Sequence, residues 1–125
     1  MINSQKKGKA YELEISKDIN REFQANCKRT PCSGGLGFKG DILDLRGPMA
    51  KFHFELKKQE KLNIWKAMEQ AKRDAPVGKS WVVIFSKNFS PDYVAISKET
   101  FYMLLHYMIE VDEMVKKEPK TPPRG

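Results

Sequence analysis

The 125-residue chain reads as an α/β sandwich, a central mixed sheet flanked by helices. Three observations carry that expectation. Tyr11, Ile15, Ile19 and Phe23 recur every four positions, the stripe of an amphipathic helix. The segments GDILDLRG and KFHFELKKQ flank a Gly47-Pro48 turn dipeptide, the pattern of a hairpin. The run SWVVIFS, Ser80 to Ser86, is continuously β-branched and aromatic, which fits a central strand buried on both faces. Helices and strands interleaved in this way build a layered α/β domain.

The first helix is expected from about Lys7 to Asn26. Glu12 sits one step beside its apolar stripe and shares a side with Ile15, Ser16 and Ile19, so it borders the core. Lys6, Lys7 and Lys9 place positive charge at the helix N-terminus, where the macrodipole disfavours it; that arrangement suits phosphate contact better than helix stability. A short strand near Lys28 to Pro31 precedes a glycine-rich segment, and the hairpin turns at Arg46 to Met49. In its second strand Phe52, Phe54 and Leu56 point one way and His53, Glu55 and Lys57 the other. A second helix from Leu62 to Asp74 turns Leu62, Trp65 and Met68 inward and ends at Ala75-Pro76 and Gly78. After SWVVIFS comes a short strand, Tyr93 to Ile96. Ser97 then caps a helix from Lys98 to Val115, with Glu99 in its first turn. Its stripe Phe101, Leu104, Leu105 and Met108 is read as core. With Tyr102 and Tyr107 on other faces the helix is apolar nearly all round, so part of it is available to a second subunit. Residues 1–115 are thus read as one domain and residues 116–125, KKEPKTPPRG, as a basic, proline-rich, disordered tail.

Hydrophobic residues make up 40% and charged residues 31%, a soluble globular composition. No apolar run approaches the roughly 20 residues that span a bilayer, and the N-terminus lacks the apolar segment of a signal peptide. A cytoplasmic location without membrane attachment is expected. In that compartment Cys27 and Cys32 are read as thiols rather than a disulfide, and without CxxC spacing or neighbouring histidines they do not suggest zinc. His53 and His106 are read as packing or surface residues. The net charge of +7 points to an anionic partner, nucleic acid foremost.

Gly35, Gly37 and Gly40 spell G-x-G-x-x-G. A dinucleotide site needs those glycines to open a helix, whose N-terminal amides hold the pyrophosphate. Gly40 instead opens a strand, and no Gly-Lys-Ser/Thr follows for a phosphate loop. No nucleotide cofactor is expected. What the segment offers is close approach by a large substrate, with Lys39 and Arg29 as phosphate contacts and Ser33 as a hydroxyl donor.

The remaining signal is Asp41, a gap of 13 residues, then Glu55-Leu56-Lys57. Two carboxylates at the mouths of adjacent strands can share a hard divalent cation. Lys57 falls on the same side of the pleat as Glu55, about 6.5–7 Å along the strand, where it can hold a water or stabilise charge on a phosphate.

These residues resemble the PD-(D/E)XK nuclease superfamily, with Gly40-Asp41 in place of the Pro-Asp pair. KGKAYE with Glu12, RTPCSGG with Ser33, GDILDL, FELK and EQA with Gln70 are similar in order and spacing to archaeal-type Holliday junction resolvases, over about Lys7 to Val83. The resemblance implies a restriction-endonuclease-like fold and a homodimer that cuts four-way DNA junctions with Mg²⁺ or Mn²⁺. It implies that Asp41, Glu55 and the Leu56 carbonyl bind metal, with Glu12 ligating directly or through water. Lys57 would orient the nucleophilic water, Ser33 would contact the scissile region and Gln70 would support the site. Lys7, Lys9, Arg29, Ser33, Lys39, Lys58 and Lys61 are the expected DNA contacts. Two other readings remain open: the same chemistry on a flap or specific duplex, and a non-catalytic DNA-binding module.

Overall fold

The computed structural model describes residues 4–29, 42–43 and 47–117. Their order is α1 (Ser4–Phe23), β1 (Lys28–Arg29), β2 (Ile42–Leu43), β3 (Phe52–Lys58), α2 (Ile64–Asp74), β4 (Ser80–Ser86), β5 (Tyr93–Ala95) and α3 (Lys98–Lys117). The strands form one sheet in the order β1-β2-β3-β4-β5. β3 and β4 are parallel, joined through α2, and the other neighbours are antiparallel. The sheet is therefore mixed, as expected. The fold is α/β, consistent with a restriction-endonuclease-like domain.

Pleat alternation divides the core into two layers. Phe54, Leu56, Val82 and Ile84 pack with Tyr11, Ile15 and Ile19 of α1, whereas Val83 packs with Ala67 and Ala71 of α2. Each helix thus covers one face of the β3–β4 pair. Burying each of these larger side chains contributes about 1.5–3 kcal/mol, and the two alanines let α2 lie close to the sheet.

Three expectations about packing are corrected. Phe23 is 61% exposed, because α1 ends there and Gln24 turns the chain at φ 52. Trp65 is 74% exposed. The helix starts two residues later than expected, at Ile64, where the Asn63 side chain accepts the Lys66 N–H at 3.2 Å; that phase turns Ile64, Ala67, Met68 and Ala71 inward. Finally, the Phe101, Leu104 and Met108 stripe of α3 is exposed and only Thr100 on that helix is buried. Its N-terminus is as expected, with Ser97 Oγ accepting the Thr100 N–H at 3.0 Å.

The hairpin exists through the Ile42–Phe54 pairing, and its connection includes a 3-10 turn over Pro48–Lys51 entered through Gly47 at φ 76. α2 stops at Ala75, held extended by the following Pro76. α3 continues through Lys116 and Lys117, two residues past the boundary expected for the domain. Cys27 is buried, and Cys32 lies outside the described residues. Among the described residues no helix is long and apolar enough to cross a membrane.

Candidate functional site

β3 is rich in aromatic residues and lies between two hydrogen-bonded neighbours. Covered on both faces, it buries the polar side of its pleat as well as the apolar side. His53 is 3% and Glu55 4% exposed. A carboxylate so far from water is costly unless it is bonded. His53 Nε2 lies 3.0 Å from Glu55 Oε1; since an ionised carboxylate can only accept, Nε2 donates. The second Glu55 oxygen has no hydrogen-bond partner among the described residues.

Lys57 is half-buried, two residues further on the same face. α2 packs on that face through Ala67 and Ala71, and Gln70 of the same helix is half-buried. The structure thus brings Glu55, Lys57 and His53 together and sets α2 over them. Glu12 is elsewhere. It belongs to α1, on the opposite face of the sheet, and its Oε2 accepts the Arg29 Nε–H at 2.8 Å with both side chains partly buried. That ion pair ties α1 to β1. Among the described residues no three His, Cys, Asp or Glu side chains form a group able to hold a metal.

Asp41, Ser33 and Lys39 lie outside the described residues. The chain enters β2 immediately after Asp41, and Ile42 pairs with Phe54, the residue before Glu55. Leu56, whose carbonyl was expected to bind metal, points its side chain into the α1 layer.

Of the expected DNA contacts, Lys7 and Lys58 meet at a shallow cavity of about 370 Å³, lined also by Lys6, Glu14 and Asn88. Lys58 Nζ sits 5.7 Å from the Tyr11 ring centroid. The Tyr11 hydroxyl donates to Asp92 Oδ1 at 2.7 Å. Burial first, and then that hydrogen bond, push the phenol far above its ordinary range. Lys9 and Lys61 are exposed, and Arg29 is engaged by Glu12.

Sequence reasoning missed His53 as a site residue. The signal was there in the alternation, which puts His53, Glu55 and Lys57 on one side, but a lone histidine among aromatics reads as packing.

An α/β sandwich with a buried glutamate and a lysine two residues later on a central strand is the arrangement the PD-(D/E)XK class uses, and it is consistent with that class. A family described as "Phage putative PDDEXK endonuclease" matches residues 3–120, and the chain belongs to it. That places the protein among the nucleases of this superfamily, a class that acts on DNA and generally uses divalent metals. No curated protein and no solved structure matches the chain.

Proposed function

We propose that the protein is a Mg²⁺-dependent endodeoxyribonuclease of the cytoplasm that resolves four-way DNA junctions as a homodimer. The observation that supports its chemistry best is Glu55: a buried carboxylate with one oxygen held by His53 and the other without a partner among the described residues. An orphaned buried oxygen of this kind fits a hard divalent cation. Glu55, Asp41 and the Leu56 carbonyl would be its ligands. Glu12, expected from the resemblance to join them, is held by Arg29 on the α1 face of the sheet and is left out of this set. A bound Mg²⁺, or Mn²⁺ in its place, supplies Lewis-acid polarisation of the phosphate and a more acidic water.

The chain's own groups do the rest. Lys57 orients the attacking water and neutralises charge that builds on the phosphate. Gln70 supports the site from α2, and Ser33 contacts the scissile region. Lys7, Lys9, Arg29, Lys39, Lys58 and Lys61 hold backbone phosphates, with the residues after Lys117 as a basic tail. The dimer reading is supported by α3. Leu104, Tyr107, Met108, Val111, Met114 and Val115 recur at 3–4-residue spacing and are all exposed, the seam of a helix pair.

Competition between a labelled four-way junction and a linear duplex, with and without Mg²⁺, tests the substrate. Paired cuts near the branch point support the reading. Preferred cutting of a flap or duplex moves the substrate, and salt-dependent binding without turnover under any divalent metal makes the protein a DNA-binding module. Sedimentation of wild type and Met108→Asp tests the dimer: a dimer that the substitution dissociates supports it, and a wild-type monomer refutes it.

A further inference from the structure

We propose that a pocket beside Lys57 binds one unstacked nucleobase of the DNA substrate, stacked on Tyr93 of its wall and on Phe89 of the adjoining turn, whose neighbours Lys87 and Ser90 line it. The proposal rests on the nuclease reading for the place of the scissile phosphate, and it names what that site selects.

The pocket, about 260 Å³, lies where β3 and β4 end and α2 begins. Leu62, Ile64, Phe85 and Tyr93 line it, with Glu60 and Lys87 among its polar residues. It is smaller than the cavities of roughly 300–1,000 Å³ that take drug-sized ligands, so it suits a single small flat group. Phe85 and Tyr93 present tilted rings with centroids 5.9 Å apart, and Tyr93 remains 53% exposed.

The rim is fixed before any ligand arrives. The Gln59 N–H donates to the Ser86 carbonyl at 3.1 Å and the Asn88 N–H to Glu60 Oε1 at 3.0 Å. Ser86 Oγ lies 3.1 Å from the Ser90 and Pro91 carbonyls. The Ser90 N–H closes a turn on the Lys87 carbonyl at 3.2 Å. Within that turn Phe89 is fully exposed at φ 59. A bulky residue in the left-handed region is strained where glycine or asparagine would be at ease. Phe89 shields no core in return, and strain held at an exposed aromatic side chain is a mark of function. Trp65, next to Ile64 in α2, is the third exposed aromatic of this end of the sheet.

Charge and position choose the occupant. With Lys58 and Asp92 turned to Tyr11 on the α1 face, residues 57–66 and 85–93 leave four lysines, Lys57, Lys61, Lys66 and Lys87, against one acid, Glu60. Lysines interleaved with aromatics are the composition of a single-strand DNA surface, the former tracking phosphates and the latter stacking bases. Lys57 pairs in register with Phe85, so the aromatic floor lies one strand spacing, about 4.8 Å, from the lysine assigned to the reacting phosphate. The base taken up belongs to a nucleotide beside the cut. In a continuous duplex every base face is covered, whereas branch points and single strands expose them.

The test uses the full chain in EDTA and fluorescein-labelled DNA of three kinds: a duplex, the same duplex with one unpaired adenine, and the single strand. Phe89→Gly and Tyr93→Ala are each expected to weaken binding to the second and third by about 5–150-fold, the range of one base–aromatic stack. Duplex affinity, carried by phosphate contacts, should change by no more than about twofold. Phe89→Gly relieves the positive φ, so its melting temperature should equal or exceed wild type, which separates lost stacking from lost folding. Equal affinities for all three DNAs across the variants, as a protein-docking surface would give, overturn the proposal, and so does a loss on duplex as large as on the others. Mg²⁺-dependent cleavage by wild type is scored in parallel. Cleavage without the base-selective loss refutes the pocket alone; base-selective loss without cleavage refutes the nuclease reading and leaves the pocket a single-strand binding site.

Discussion

Replacing Glu55 by glutamine removes a charge and almost nothing else. The side chain is 4% exposed and accepts one hydrogen bond, 3.0 Å from His53. In the metal-free protein two changes oppose each other. A hydrogen bond to a charged group, worth about 1.5–3 kcal/mol, becomes a neutral one worth about 1, while the desolvation cost of a buried charge, several kcal/mol, disappears. The metal-free variant should therefore be as stable as wild type or more stable, because the hydrogen bonding lost, about 0.5–2 kcal/mol, does not exceed the desolvation cost removed. With metal the two proteins should part. A cation at 100 times its Kd adds about 2.7 kcal/mol to the stability of a protein that binds it only when folded. Wild type should gain that and Glu55→Gln should not. Urea denaturation followed by tryptophan fluorescence, with MnCl₂ against NaCl of equal ionic strength, reads the difference as a midpoint shift of roughly 1–2 M. Equal stabilisation of both proteins by Mn²⁺ would refute the reasoning. So would a metal-free loss above about 3 kcal/mol, which would make the carboxylate structural.

Other consequences follow from the same contacts. His53→Leu leaves the Glu55 carboxylate buried without its donor and should cost about 3 kcal/mol. His53→Gln, which keeps an N–H at similar reach, should restore most of it, and in a Glu55→Gln background the leucine penalty should largely vanish; urea denaturation of the four variants checks all of this. Tyr11→Phe deletes the hydrogen bond to Asp92 and should cost about 1.5–3 kcal/mol at neutral pH. The folded phenol is raised far above its ordinary value, so its contribution is complete below the unfolded tyrosine pKa of about 10 and is lost as pH rises beyond it. The stability gap between wild type and Tyr11→Phe, measured against pH, should therefore hold to about pH 10 and shrink above it.

Much of this architecture was legible in the residues themselves. The bounds of β4 are those of its β-branched run, and the alternation of β3 assigned Glu55 and Lys57 to one face correctly. What local pattern could not decide was where each apolar stripe ends and what covers it. A four-residue repeat includes Phe23 whether or not the helix continues, and Gln24 at φ 52 ends it there. Trp65 is apolar enough for the core, yet the Asn63 cap sets a phase that points two alanines inward instead. α3 has the composition of a buried helix and exposes nearly all of it, since periodicity tells that a face wants a partner but not which chain supplies it. In the site, Glu12 borders the core as its spacing implied, but its tie to Arg29 depends on how α1 meets β1, a tertiary fact. The His53–Glu55 bond is likewise a product of covering both faces of β3, which no short window reveals.

The central claim is that Glu55 and Lys57 act together on a phosphodiester with a divalent cation. Incubating a labelled four-way junction with wild type, Glu55→Gln and Lys57→Ala in Mg²⁺, and with wild type in EDTA, tests it most directly. Wild type should cut near the branch point only in Mg²⁺, while both variants bind the junction with near wild-type affinity and fail to cut. Cleavage by either variant at the wild-type rate, or cleavage by wild type in EDTA, would contradict it.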